Sequence, residues 1–135
     1  MNTGYTKVAI DELPDMAAAR GMDGIQARAL REPSDAEQTG GMLHRLAPGV
    51  RQPFGHVHDE AEELYLVLEG SGRANLGNEI VELRERDLIR IAPKTPRCFE
   101  AGDDGIELFA YGPHKQGDGR IFAGWWGGDV PPADA

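Results

Sequence analysis

The chain has 135 residues, enough for one domain of ordinary size and little more. Its 14 basic and 23 acidic side chains give a formal net charge of −9, which a nucleic-acid backbone or an anionic membrane surface repels, so neither is expected as a partner. One cysteine, Cys98, excludes a disulfide within the chain and a cysteine-cluster zinc site, and a reducing cytoplasm is the expected location.

The first residues, MNTGYTKVAIDELPD, carry no basic leader followed by an apolar stretch, so no secretory signal is read there. From Asp11 to Gly21 the sequence suits one short helical turn, with Met16 to Arg20 as good formers and Gly21 as its stop. Eight short segments then read as strands: Ile25 to Leu30, Met42 to Leu46, Leu64 to Leu68, Arg73 to Leu76, Glu79 to Leu83, Asp87 to Ile91, Arg97 to Glu100 and Ile106 to Tyr111. Gly77-Asn78 predicts a two-residue hairpin loop, and further turns are expected at Pro48-Gly49, Glu69-Gly70-Ser71-Gly72 and Gly102-Asp103-Asp104-Gly105. No helical stretch is long enough to carry parallel crossovers, so the expected fold class is all-β, an antiparallel barrel or double-sheet jelly roll. The longest apolar run, Leu64 to Leu68, falls far short of the roughly 20 residues that span a bilayer, and a soluble protein is expected. That run is apolar on both faces, so its outer side needs a cover, supplied by the N-terminal arm or by a second copy in a homodimer.

Chemistry is concentrated between Gly49 and Gly70. His56 and His58 are two apart, so on an extended strand both imidazoles leave the same face, and Glu63 opens the next strand after a short acidic loop. Two neutral imidazoles and a carboxylate hold a borderline divalent ion such as Mn, Fe, Ni, Zn or Cu with positions left open for substrate. Alternation puts Tyr65 and Val67 on the face of Glu63 and turns the even-numbered leucines outward. The rest of the acidic cluster, Asp59, Glu60 and Glu62, reads as a solvated loop.

The order Gly49, His56, His58, Glu63, Gly70 has four residues between His58 and Glu63 and six between Glu63 and Gly70. It resembles the first motif of the cupin family, with six rather than five residues between Gly49 and His56. The resemblance runs from about Ile25 to Tyr111 and implies a short antiparallel jelly-roll barrel, a double-stranded β-helix. It divides the chain into an arm (1–22), a barrel (23–123) and a tail (124–135). The family's second motif is degenerate: Arg86, Ala92, Lys94, Arg97 and Ala101 stand where the pattern has Gly, Pro, Gly, His and Asn. Arg97 thus replaces the fourth ligand that the resemblance implies. A guanidinium has no lone pair to offer, so Arg97 cannot coordinate a cation, and its charge makes any metal site weak or absent.

Two arrangements follow. In one, His56, His58 and Glu63 hold the ion alone while Arg97 turns to an open position, giving a net positive pocket for an anionic metabolite. In the other, Arg97 pairs with Glu63 by charge-assisted hydrogen bonds and the pocket is metal-free. Other residues carry weaker expectations. Alternation turns Cys98 away from Arg97, making it a buried thiol; His44 faces inward as a hydrogen-bonded core histidine; Gln52 and Phe54 line the barrel mouth; His114 is exposed. Trp125 and Trp126 cap the barrel or pack across a dimer, and Pro131 to Ala135 fray. No GxSxG elbow, phosphate-cradling GxxxxGK[ST] loop or GxGxxG motif occurs. The expectation is a small cytoplasmic barrel protein, either a metal-dependent enzyme with Arg97 and Tyr65 as catalytic groups, or a small-molecule binding module that uses Arg97 and Glu63.

Overall fold

The computed structural model describes residues 4–124 and Trp126. A 3-10 turn, η1 (Ile10–Glu12), and one turn of helix, α1 (Met16–Ala19), precede eight strands: β1 (Ile25–Ala29), β2 (Thr39–Leu46), β3 (Phe54–His58), β4 (Glu63–Leu76), β5 (Glu79–Leu83), β6 (Leu88–Ile91), β7 (Arg97–Pro113) and β8 (Gly119–Ala123). Every pairing is antiparallel, in one curled sheet. β7 is the hub, pairing with β2, β3 and β4; β4 in turn carries β5 and β6, and β8 closes against β3. The expected all-β jelly-roll class is the observed one.

The strand total agrees with the sequence reading, and β1, β2, β5 and β6 fall where expected, but the other four expected strands merge into two. Glu69 to Gly72 and Gly102 to Gly105, expected as turns, lie inside the long strands β4 and β7. The two strands stay paired through register shifts between Val67 and Glu69 and between Gly70 and Gly72. The glycines serve close approach there, since a Cβ on Gly70 would stand 2.0 Å from the Gly105 carbonyl oxygen. A bulge keeps the ladder and only bends it. β3 was expected only as the extended segment that carries His56 and His58, and β8 was absent from the expected set.

Where the short signals were turn residues of the right kind, they held. Gly77 and Asn78 both have positive φ, 56° and 77°, the conformation of a hairpin loop whose twist matches its strands. α1 begins at Asp15, whose carboxylate accepts from the backbone N–H groups of Ala17 and Ala27, tying the arm to β1. The arm's Ala17 is buried in the main core with Leu46, Val67, Phe99 and Leu108. Each large member of that core stabilises the fold by about 1.5–3 kcal/mol.

The outer face of β4 is not covered by the arm, whose helix α1 packs against β1. Leu68, Leu88 and Tyr111 remain 37%, 61% and 40% exposed. Trp126 packs against Cys98 and Phe122, with the guanidinium groups of Arg51 and Arg73 4.5 and 5.3 Å from its ring centroid. Trp125 and Pro131 to Ala135 lie outside the described residues. No helix among the described residues is long and apolar enough to cross a membrane.

Candidate metal centre

β3 and the first residue of β4 bring the three expected ligands together. One donor atom from each of His56, His58 and Glu63 lies within 4.8 Å of the others. His56 Nε2 is 3.7 Å from Glu63 Oε1, and His58 Nε2 is 3.6 Å from Glu63 Oε2. Those separations exceed a hydrogen bond. Two ligands each about 2.1 Å from a common ion and 90–110° apart stand roughly 3.0–3.4 Å from one another, so the donors are spaced nearly as an ion would hold them. Glu63 Oε1 is buried and has no hydrogen-bond partner among the described residues, as expected of an oxygen waiting for a cation. The donor set fits a divalent transition metal.

Protonation favours the same reading. Burial lowers the pKa of His56, helped by the Arg97 charge and only partly opposed by Glu63, so the imidazole keeps a free lone pair. Burial alone would raise the pKa of Glu63, but the two imidazoles outweigh it and hold the carboxyl well below its ordinary range. Tyr65, 1% exposed, places its hydroxyl 3.2 Å from His56 Nε2 and packs on Phe99 at 4.7 Å between centroids. Burial and the Glu63 charge raise its pKa well above the ordinary phenol value, so it is a donor and not an anion.

Asp118 was not anticipated. It precedes β8, its side chain is 4% exposed, and it accepts from the backbone N–H groups of Glu60 and Ala61 at 2.8 and 3.0 Å while Oδ2 lies 3.4 Å from His58 Nδ1. One carboxylate therefore holds the loop that delivers Glu63 and lies beside His58 Nδ1, without a hydrogen bond to it. Burial raises its pKa, but the Ala61 and Glu60 N–H groups outweigh that and lower it overall. Gly119 lets the strand run under the ring, since a Cβ there would sit 3.2 Å from His58 Cε1. In sequence, Asp118 is one aspartate in a QGDGR turn, with no spacing to link it to His58.

Arg97 lies beside His56 in the β3–β7 pairing and is fully buried. Its NH1 is 3.7 Å from Glu63 Oε1, an ion-pair contact, and none of its three guanidinium nitrogens has a hydrogen-bond partner among the described residues. The expected charge-assisted hydrogen bonds are not formed. Nor does Arg97 turn to the open side, because it is absent from the cavity wall, held between strands with its charge behind the ligand set. Cys98 points the other way: its thiol donates to the Gln52 carbonyl at 3.4 Å, and burial pushes its pKa up to about 11. It takes no part in the donor set.

The donor set opens into a cavity of about 380 Å³. Met16, Ala17 and Met22 of the arm, with Ile25, Phe54 and Ile121, supply apolar wall; Gln52, His44 and Tyr65 supply polar wall; Arg20, Lys115 and Arg120 also border it. Gln52 is spent partly on structure, its Oε1 accepting from Phe99 N at 3.0 Å. His114 is exposed at the rim, as anticipated.

A curled antiparallel barrel with a His-x-His and glutamate cluster at one mouth defines a class, and comparison with known proteins agrees. The cupin domain model matches residues 42–110, and the chain belongs to the cupin family. An uncharacterized protein of Methanocaldococcus jannaschii is 38% identical over 83 residues, a stretch that makes up 59% of this chain and 66% of that one, just under two thirds. A crystal structure of a cupin protein from Bacteroides fragilis superposes with a TM-score of 0.67 at 24% identity, covering 96% of this chain and 99% of that one. Oxalate decarboxylase from Bacillus subtilis superposes at 0.71 with 20% identity over 91% of this chain, which spans only 33% of that enzyme. At these identities both structures speak for the fold alone.

Proposed function

We propose that this cupin holds a divalent transition metal at His56, His58 and Glu63 and acts as a metal-dependent enzyme on a small anionic metabolite. The observation that carries the reading is the convergence of three donor atoms within 4.8 Å at the wall of a 380 Å³ cavity. The bound ion would supply Lewis-acid or oxygen-activating chemistry. His56 and His58 would hold it, Asp118 beside His58 Nδ1 would orient that ring, and Tyr65 keeps a proton on its hydroxyl beside His56, available to a developing anion. The lining carries Arg20, Lys115 and Arg120 against Glu62, Glu63 and Asp118, so the charge that would favour an anionic ligand is that of the ion itself. Arg97 acts through charge behind Glu63, not by touching the ligand.

Elemental analysis and calorimetric titration with Mn, Ni, Zn and Fe(II) salts test the reading. Uptake of one ion by the parent and its loss in a folded His58→Ala variant are expected; equal metal content in both, or no uptake by the parent, overturns it.

A second reading, a metal-free binding module, is favoured by one observation: a fully buried guanidinium 3.7 Å from Glu63 already neutralises its charge. Native mass spectrometry distinguishes it. A small molecule retained by ion-free parent protein and lost from Arg97→Ala supports this version, and retention unchanged in the variant removes it. We also propose a cytoplasmic homodimer that covers the Leu68, Leu88 and Tyr111 face.

A further inference from the structure

His44 stands in the middle of β2, opposite Ala27 on β1 and Leu108 on β7, at a position where a barrel would ordinarily bury an aliphatic side chain. It is 9% exposed and lines the cavity. Its ring lies nearly parallel to that of Tyr65, 18° between planes and 6.5 Å between centroids, while the Tyr65 hydroxyl meets His56. The imidazole has no hydrogen-bond partner among the described residues, so the expected hydrogen-bonded core histidine is not what the fold contains. Burial, followed by the neighbouring His56, lowers its pKa to about 4, leaving a neutral ring with one N–H and one lone pair. Both face the cavity, whose wall near His44 includes the apolar Ile25, Ala27, Met42 and Ala110. An imidazole that faces a cavity and has no hydrogen-bond partner in the protein is placed to find one in a ligand.

Resting on the metal-and-cavity reading above, we infer that His44 is a second polar anchor of the cavity, and that the ligand is a small bifunctional molecule. One end, an anion, meets the His56, His58 and Glu63 group. The apolar body lies against Met22, Ile25 and Phe54, and a hydroxyl or N–H group reaches the His44 imidazole. The volume of 380 Å³ is on the order of a dozen water-sized atoms, which suits a ring bearing two substituents. A compact dianion without an apolar body would leave the arm's side of the cavity unfilled.

Benzoate and its 3- and 4-hydroxy derivatives serve as probes on the manganese-loaded full-length protein. Calorimetry is expected to show at least one hydroxylated probe binding about three- to tenfold tighter than benzoate, the effect of one neutral hydrogen bond. His44→Phe should abolish that advantage while leaving benzoate affinity within about twofold, and His44→Asn should restore part of it. Long-range ¹H–¹⁵N spectra of the histidine rings should show the His44 nitrogens shifting with the hydroxylated probe and not with benzoate. A hydroxyl preference that survives in His44→Phe overturns the inference, as does failure of all three probes to bind. Neither result touches the metal reading, which stands or falls on ion uptake measured in the same titration cell.

Discussion

Replacing Arg97 by methionine should tighten metal binding at least tenfold. Arg97 NH1 is 3.7 Å from Glu63 Oε1, and an ion ligated by that oxygen stands about 2.1 Å from it, so the ion and the guanidinium nitrogen are at most about 5.8 Å apart. Even with the dielectric constant of bulk water, a dication and a single positive charge at that distance repel by about 1.4 kcal/mol, a factor of ten in affinity. The guanidinium is fully buried, so screening is weaker and the true penalty larger. Methionine fills much of the volume without charge. In the ion-free protein the opposite holds: the Glu63–Arg97 attraction, about 4 kcal/mol at an effective dielectric constant of 20, disappears. The release of three donors that lack partners offsets part of that loss. Isothermal titration of nickel or manganese into EDTA-stripped, cooperatively folded parent and Arg97→Met protein measures the difference. Equal or weaker binding by the variant refutes the idea that this charge is what limits the site.

Asp118→Asn should weaken metal affinity by about 10- to 100-fold and lower stability by about 1–2 kcal/mol, because it removes the charge beside His58 and one acceptor for the Glu60 and Ala61 N–H groups; parallel metal titration and thermal melts report both. In EDTA, the parent should lose about 3 kcal/mol as pH falls from 6.5 to 4 on account of His44: its folded pKa, about 4, lies below the unfolded value of 6.5, so the unfolded chain binds the proton first. Urea denaturation across that window should show a shallower acid limb in His44→Phe. Lys94 has φ 68°, where the family pattern has glycine, and Lys94→Gly should therefore stabilise by a net of about 0.5–1 kcal/mol in the same assay. Light scattering should find a dimer for the parent and a monomer for Leu88→Asp, since Leu88 is 61% exposed on the apolar outer face.

The fold was legible in sequence because period-two apolar patterning and turn residues suffice to predict an antiparallel jelly roll. The same signals misplace strand ends when glycine serves packing: Gly70 and Gly105 look like loop residues but allow two backbones to touch inside continuous strands. β8 was missed because Gly119, Arg120 and the largely exposed Ile121 present no apolar stripe. His56, His58 and Glu63 were legible because three ligands fall within eight residues and alternation alone gathers the pair of imidazoles. Asp118 and the arm's Met16 and Met22 were not, because they reach the cavity only through tertiary contacts that no local spacing encodes. Of the two directions weighed for Arg97, the structure has the one toward Glu63, as an ion-pair contact without hydrogen bonds. Alternation gives the face of a strand, and here that face at residue 97 is packed interior, not open cavity.

β3 has only one residue pair with β7, His56 with Arg97, and is otherwise paired along its length by β8. During translation the two imidazoles therefore emerge long before their flanking strand, on a segment with almost no ladder of its own. A nascent chain stopped short of Gly119 carries every donor atom yet lacks the strand that aligns them. Competence to capture an ion should thus arise abruptly, as a sign that β8 has docked.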